Sequence, residues 1–213
     1  MVRVKICGLT SKESAWAAIE AGADAVGFVF AEGRRKIHPE LVKEIIRTLP
    51  PYITTTGVFV NEELNRVNQI AELCGLDLIQ LHGDESPDYC SLVARPVVKT
   101  IHMGAEGADH EDSLNQYEGV VRGLLLDTYV KGETGGTGKT FPWEDVQKLR
   151  IRTPVILAGG LHSGNVAQAI RLTQPFSVDV SSGVETNGMK DPVKMTDFVQ
   201  AVRDCQLAIG DPH

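Results

Sequence analysis

Residues 2–30 read VRVKICGLTSKESAWAAIEAGADAVGFVF, and this stretch decides the fold. A run of alternating β-branched residues at 2–6 leads through a turn at Gly8 into a helical pattern at 11–21, and a second apolar run follows at 24–30. Two strands joined by a helix form a parallel pair with a crossover. The stretch therefore predicts a βαβ unit.

The same alternation continues along the rest of the chain. Further strand-like runs lie at 53–60, 77–81, 96–101, 121–126, 154–158 and 176–180, with helical patterns including 39–48, 62–74 and 192–207. Eight βα units close most naturally into a (β/α)8 TIM barrel, because a doubly wound open sheet, the structural alternative, usually has fewer strands. No linker or low-complexity segment divides the chain, so we expect residues 1–213 to form one barrel domain with its active site at the carboxyl ends of the strands.

The composition favours work on small molecules. A net charge of −7 argues against a nucleic-acid partner, since no large basic surface is available to neutralise phosphates. No apolar run approaches the roughly 20 residues of a membrane span. The four cysteines show neither disulfide nor zinc spacing and indicate reduced thiols of a cytoplasmic protein; they are Cys7, Cys74, Cys90 and Cys205.

Strand periodicity assigns directions to the first strand. Its even-numbered residues are valine and isoleucine and suit the helix layer, so Arg3, Lys5 and Cys7 should point into the barrel. Cys7 then lies at the functional end, although cysteine often packs simply as a small hydrophobe. Lys5 lies one layer below, where it needs a carboxylate partner, must lose its charge, or must reach solvent through the lower rim.

Asp127 follows the apolar run Leu124-Leu125-Leu126 and should share the functional end with Cys7. An aspartate at a strand end is often only a turn or cap residue. A carboxyl and a thiol on opposite sides of one substrate would, however, suit proton-transfer chemistry. The sequence alone leaves both interpretations open.

Glycines and hydroxyls cluster after the last two strands. Gly159 and Gly160 follow the seventh strand, and Ser181, Ser182 and Gly183 follow the eighth. Barrel phosphate sites are built from these two loops, because glycines let backbone N–H groups approach the phosphate oxygens. The pair of loops predicts a phosphosugar ligand.

A polar glycine-rich loop at 131–140 resembles a nucleotide-binding loop only superficially. The position that should hold the first glycine of such a loop is Glu133, whose charge would oppose a phosphate. We expect a lid over the barrel mouth instead.

Other polar residues stand near strand ends. Arg34 and Arg35 follow the second strand, where one of them would suit a substrate carboxylate, unless both belong to a solvated loop. Gln80, His82 and Asp179 have inward phases on the fourth and eighth strands. They are candidates for lining the site, with a hydrogen-bonded core role as the alternative.

Motifs distributed from end to end resemble those of the phosphoribosylanthranilate isomerases, a family of tryptophan biosynthesis. They are VKICGLT (4–10), GADAVGFVF (22–30), GVFVN (57–61), IQLHG (79–83), LLD (125–127), GGTGKTF (135–141), LAGGL (157–161) and VDVSSGVE (178–185). The resemblance implies a TIM barrel that catalyses an Amadori rearrangement of a phosphosugar without metal or cofactor, as a monomer or homodimer.

The resemblance also implies roles for individual residues. Asp127 would protonate the furanose ring oxygen, and Cys7 would then remove the C2 proton. Arg35 would hold the anthranilate carboxylate, with His82 and Asp179 also facing the substrate. The phosphate cradle would consist of Gly159, Gly160, Ser181, Ser182 and Gly183.

One departure from the family pattern concerns the arginine loop. This chain has Gly33-Arg34-Arg35 where the family often has Ser-Pro-Arg or Ser-Lys-Arg, which leaves Arg34 as a competitor for the carboxylate.

Two other functions remain open: another phosphosugar barrel, such as an epimerase or synthase, and a barrel that only binds a phosphate ligand. For Lys5 we hypothesise either that its charge lowers the Cys7 pKa toward neutrality or that it pairs with Asp127 or Asp179.

Overall fold

The computed structural model describes residues 1–104, 110–128 and 140–210. Eight parallel strands close into a barrel in chain order, and the first strand pairs with the eighth. The strands are β1 Arg3–Cys7, β2 Ala25–Val29, β3 Thr54–Phe59, β4 Leu78–Leu81, β5 Val97–Met103, β6 Gly123–Thr128, β7 Val155–Leu157 and β8 Ser177–Val180. The predicted TIM barrel is confirmed.

Helices cover the outside of the barrel. They are α1 Lys12–Glu20, α2 Pro39–Ile46, α3 Leu64–Cys74, α4 Pro87–Leu92, α5 His110–Asn115, α6 Val166–Thr173 and α7 Pro192–Gly210. Local sequence explains several of their ends. The Ser11 side chain accepts a hydrogen bond from the Ser14 N–H at 3.2 Å and starts α1, while Gly75 ends α3 in the left-handed conformation at φ +71°.

The sixth βα unit differs from the general βα order in its described part. Among the described residues after β6, the element before β7 is a 3₁₀ helix at Trp143–Lys148. Trp143 and Val146 are both buried, and their three-residue spacing places them on one face of a 3₁₀ helix. The expected lid at 131–140 lies outside the described residues, apart from Thr140.

The period-two assignment of β1 is confirmed. Val4 and Ile6 are fully buried in the layer between the strands and the helices. Lys5 and Cys7, on the other side of the strand, lie inside the barrel. Among the described helices, none combines the length and apolar character needed to cross a membrane.

Candidate active site

A cavity of about 420 Å³ opens at the carboxyl ends of the strands. That volume suits a substrate of the size of a small phosphosugar conjugate. All the predicted site residues except Gly183 line it: Cys7, Arg35, His82, Asp127, Gly159, Gly160, Asp179, Ser181 and Ser182. Arg34 and Gln80 line it as well. Strand phase and the strand-end rule therefore located the residues of one cavity that are far apart in the chain.

Cys7 occupies space that a glycine leaves on the neighbouring strand. A side chain at Gly27 would place its Cβ 2.7 Å from the Cys7 Sγ, which is too close for any other residue. Burial raises the pKa of the Cys7 thiol, and the charges of Lys5 and Lys190 only partly oppose that rise. The hypothesis that Lys5 brings this pKa toward neutrality is therefore wrong.

Lys5 pairs instead with a carboxylate, which confirms the other half of the hypothesis. Its Nζ donates to Asp179 Oδ2 at 2.7 Å and to Gln80 Oε1 at 2.8 Å. Asp179 Oδ1 is buried and has no protein partner among the described residues. Asp179 lines the cavity, but this oxygen has almost no accessible surface, so a ligand reaches it only if neighbouring atoms move.

The contact with Lys5 also sets the direction of a hydrogen-bond chain. The Lys5 ammonium can only donate, so the Gln80 atom that faces it must be the side-chain oxygen. The Gln80 amide nitrogen therefore faces His82 Nδ1, 3.2 Å away, and donates a hydrogen bond to it. Nδ1 accepts, so the neutral His82 ring carries its proton on Nε2. His82 Nε2 lies 3.3 Å from Asp127 Oδ2, close enough for an electrostatic contact, but among the described residues it makes no hydrogen bond.

Asp127 is held at the end of β6 by its own backbone and by its neighbours. The N–H of Thr128 donates to Asp127 Oδ1 at 2.8 Å. Gly159, with φ +83°, lies beside this carboxyl, and a Cβ there would be 2.9 Å from Oδ1 and 2.7 Å from the Thr128 nitrogen. The glycine is therefore required by both its backbone conformation and the space beside Asp127.

His82, His102 and Asp127 place potential metal-ligand atoms within 4.8 Å of one another. Burial and the neighbouring His82 lower the pKa of His102, so its ring is neutral at pH 7. In the assigned tautomer, however, His82 Nδ1 accepts from Gln80 and Nε2 carries the proton, which leaves no free lone pair on the ring. In this tautomer the cluster suits hydrogen bonding and proton transfer better than it suits metal ligation.

The loops after β7 and β8 form a cradle of backbone donors. The N–H groups of Gly159, Gly160, Ser182 and Gly183 have no acceptor within the described residues. Gly183 lies behind the cavity lining, and its missing side chain leaves room for the carbonyl of Leu161. Free N–H groups from two adjacent loops are the arrangement that binds a phosphate.

Arg34 and Arg35, which follow β2, are held by one carboxylate from the segment after β8, and only β1 separates these two strands in the barrel. Arg35 donates from Nε and Nη2 to the two oxygens of Glu185 at 2.7 and 3.1 Å, and Arg34 Nη2 donates to Oε2 at 2.7 Å. The Arg35 side chain is 20% exposed and the Arg34 side chain 56%. Arg35 crosses above Gly8, where any side chain would block it.

Glu185 is strongly ionised in this position. Burial alone would raise its pKa, but hydrogen bonds from Arg35 and Lys190 outweigh burial and lower the pKa to about 2. Lys190 Nζ lies 2.9 Å from Glu185 Oε1 and 2.8 Å from the Ser181 carbonyl oxygen. The arginines at the mouth and the phosphate cradle therefore share one anchoring network.

Sequence reasoning missed Glu185, Lys190 and His102 as neighbours of the site. His102 has a local signal, because extending the fifth strand by two residues gives it the inward phase of Val98 and Thr100. Glu185 and Lys190 have no such signal. They lie on a short antiparallel pair, β9 Glu185–Thr186 and β10 Met189–Lys190, that no alternation predicts.

The fold and the site define a class: (β/α)8 barrels that combine acid–base side chains with a phosphate cradle at the seventh and eighth loops. The family model for N-(5'-phosphoribosyl)anthranilate isomerase matches residues 4–201. The chain belongs to this family, and it is an enzyme of the isomerase class.

Individual relatives resemble the chain over nearly its full length. The N-(5'-phosphoribosyl)anthranilate isomerase of Desulforudis audaxviator is 48% identical over 96% of this chain and 99% of its own. Monomers of the dimeric enzyme from Thermotoga maritima superpose with a TM-score of 0.82 at 38% identity, covering 96% of this chain and all of theirs. A phosphoribosylanthranilate isomerase in complex with reduced 1-(o-carboxyphenylamino)-1-deoxyribulose 5-phosphate is equally similar, with a TM-score of 0.82, 39% identity and the same coverage.

Proposed function

We propose that this enzyme converts N-(5'-phosphoribosyl)anthranilate into 1-(2-carboxyphenylamino)-1-deoxyribulose 5-phosphate, an Amadori rearrangement in tryptophan biosynthesis. The observation that carries the proposal is the cavity itself. One space of about 420 Å³ brings Cys7 and Asp127 together with a phosphate cradle and a pair of arginines. These groups match an aminoaldose that carries a phosphate at one end and a carboxylate at the other.

Two proton transfers account for the reaction. Asp127 in its protonated form donates to the furanose ring oxygen, so the C1–O bond breaks and the open sugar becomes a Schiff base. Cys7 as thiolate removes the C2 proton, which gives an enolamine that tautomerises to the ketone. Because burial raises the pKa of the Cys7 thiol, the thiolate is a minor form at pH 7, and turnover should increase with pH as the thiolate fraction grows.

Binding groups at the two ends of the cavity hold the substrate between these residues. The free N–H groups of Gly159, Gly160, Ser182 and Gly183 bind the phosphate. Arg35 uses two of its five donors on Glu185 and keeps the others for the anthranilate carboxylate. Arg34 supplies a second positive charge at the more exposed side.

His82 and Asp179 act on either side of the reacting atoms. The Nε2–H of His82 stabilises the carboxylate that forms when Asp127 gives up its proton. The unpaired Oδ1 of Asp179 accepts from a sugar hydroxyl once neighbouring atoms move to expose it. Gln80 and Lys5 are positioning residues, because they fix the His82 tautomer and the Asp179 carboxylate.

We also propose that residues 1–213 act as one barrel domain in the cytoplasm. Four unpaired, buried cysteines support a reducing compartment. The monomers of the dimeric Thermotoga maritima relative support a monomer or a homodimer as the working state.

Turnover of freshly prepared N-(5'-phosphoribosyl)anthranilate, followed by anthranilate fluorescence, tests the function. Cys7→Ala and Asp127→Asn should each lose about 10²- to 10⁴-fold in kcat, the usual contribution of general acid–base catalysis. The matched control is Cys90→Ala, which removes another buried thiol that lies outside the cavity. Near-normal turnover by either site variant would remove its assigned role, and a wild-type protein without turnover would favour a barrel that only binds its ligand.

A further inference from the structure

A second cavity, of about 220 Å³, opens at the opposite end of the barrel. It exists because the inward positions there carry small residues. Ala25, Thr54, Thr56, Gly123 and Ser177 stand where barrels are usually filled by valine, isoleucine and leucine. We call this space the lower cavity.

The size and walls of the lower cavity suit a single aromatic ring. Leu78, Val98, Leu125 and Ile156 supply most of its apolar surface. An apolar protein cavity of about 150 Å³ is large enough to bind benzene. A volume of about 220 Å³ therefore accommodates such a ring with one small substituent.

The rim of the lower cavity is positively charged. Arg3 and Arg122 both line it, and neither has a carboxylate partner within the described residues. The only carboxylate of the lining, Asp24, is already engaged, because its Oδ2 accepts from the Val4 N–H at 2.8 Å and from Arg203 at 3.1 Å. In a chain of net charge −7, this local excess of guanidinium favours an anion.

One buried polar atom in the wall also lacks a partner. Thr56 as a whole is 1% exposed, and its Oγ1 has no hydrogen-bond partner within the part of the chain that the structure describes. An unpaired buried hydroxyl is costly, and rotation of the Thr56 side chain toward the cavity would let a ligand atom satisfy it. This observation is independent of the charged rim.

We propose that the lower cavity is a second ligand site, which takes an aromatic monocarboxylate. The ring packs between Val98, Leu125 and Ile156, and the carboxylate meets Arg3 and Arg122 at the rim. This site goes beyond the isomerase activity, and its occupancy is measured without turnover.

The lower cavity and the active-site cavity share a wall. Gln80 lines both, and Lys5 lines the lower cavity while its Nζ holds Asp179 on the other side. A ligand below therefore contacts the two side chains that fix the His82 tautomer. Occupancy of the lower cavity should be sensed at His82.

Methyl NMR of the whole chain, with benzoate as the probe, tests the site. Ile156 reports the lower cavity, and Ile79, fully buried in the outer core, serves as the internal control. Benzoate should shift the Ile156 methyl saturably and leave Ile79 unchanged, and benzamide, which lacks the charge, should bind at least tenfold more weakly. An Ile156 signal that does not move at millimolar benzoate would overturn the proposal and indicate a cavity filled only by water.

Variants separate the lower cavity from the arginines of the active site. Ala25→Leu fills the space and should abolish the Ile156 shift, while Arg122→Gln should weaken binding at least tenfold without disturbing the core. Arg66→Gln, an exposed arginine on α3, is the matched control and should bind as wild type does. Unaltered binding by Arg122→Gln would overturn the rim assignment even if Ala25→Leu fails to fold.

The His82 side-chain ¹⁵N signals test the shared wall. Saturating benzoate should shift them in the wild type and in Arg66→Gln. Unchanged His82 signals at full occupancy of the lower cavity would overturn the link between the two sites.

Discussion

Two buried lysines, Lys5 on β1 and Lys99 on β5, face opposite sides of the barrel wall. Lys99 points outward and forms a closed network: its Nζ lies 3.3 Å from the Glu85 carboxylate and donates to the carbonyls of Gly83 and Thr100 at 2.7 and 2.9 Å. Glu85 in turn accepts from the N–H groups of Asn61 and Gly83. Every strong polar group of this cluster is satisfied within the protein.

Lys5 points inward and forms an open network. Its partner Asp179 has one carboxylate oxygen without a hydrogen bond among the described residues, and its other partner, Gln80, is hydrogen-bonded to His82. The two clusters contain similar chemistry in one fold. The difference follows from the side of the strand on which each lysine lies: the Lys99 cluster is enclosed between the strands and the helices, whereas the Lys5 cluster lies inside the barrel beside the cavity.

Removing the ammonium of each lysine should separate the structural role of Lys99 from the role of Lys5 at the site. Lys5→Met and Lys99→Met should each destabilise the fold by about 3–5 kcal/mol in urea unfolding, because each leaves a buried carboxylate without its partner. Per folded molecule, only Lys5→Met should lose turnover, by roughly 10²-fold, since Asp179 and His82 lose their positions. Comparable losses of kcat per folded molecule in both variants would refute the distinction.

Gly27→Ala should act on the inward side without touching any charge. The new Cβ collides with Cys7 Sγ and approaches Lys5 Cε, so the thiol must move. A displacement of about 1 Å at a reacting group can cost on the order of 10²-fold in kcat, and we expect a loss of this size at nearly unchanged KM. The control is Gly119→Ala, where the space is open although φ is +76°; it should cost stability but not turnover. Wild-type kcat in Gly27→Ala would mean that Cys7 tolerates this shift.

Gln80→Glu should reverse the hydrogen-bond chain beyond Lys5. A carboxylate at position 80 can only accept, so His82 must donate from Nδ1 and turn a lone pair toward Asp127. The ¹⁵N shifts of His82 should report the change of tautomer, and kcat should fall because the ring no longer presents an N–H to Asp127. Gln80→Met, which removes both contacts, separates the tautomer from the added charge. Identical His82 spectra in wild type and Gln80→Glu would show that Gln80 does not set the His82 tautomer.

The smallest effect is expected at the barrel mouth, where Glu185 anchors both arginines. Its pKa in the folded protein is about 2, against 4.5 as the ordinary value, so the folded state favours the ionised form. The resulting stability is fully present above pH 4.5 and is lost as the pH falls toward 2. Urea unfolding between these pH values should show a shallower slope for Glu185→Gln than for the wild type, and equal slopes would contradict the pKa.

Local pattern was sufficient for much of the fold and part of the site. The alternation of β1 predicted that Lys5 and Cys7 share the barrel interior, and the demand of a buried lysine for a carboxylate predicted Asp127 or Asp179 as its partner, of which the structure shows Asp179. The boundaries were less accurate, because strand ends depend on neighbouring strands. The fifth strand extends two residues beyond its predicted end, and this extension brings His102 beside His82.

The direction of the Cys7 pKa shift was beyond local reasoning. The positive charge of Lys5 was correctly expected beside the thiol, but the extent of burial outweighs it. Burial depends on how completely the barrel closes around a residue. A sequence pattern shows which side of a strand faces inward, and it does not measure the depth of that position.

The sequence by itself determined the fold class, the inward face of each clear strand and the strand ends that carry Cys7 and Asp127. It did so because these features depend on periodicities of two and 3.6 residues, which are local. The tertiary structure decided the anchoring of Arg35 by Glu185, the tautomer of His82 and the lower cavity. Each of these depends on contacts between strands that are distant in the chain: Arg35 and Glu185 are 150 positions apart, Lys5 and Gln80 are 75 apart, and the lower cavity is formed by small side chains of several strands.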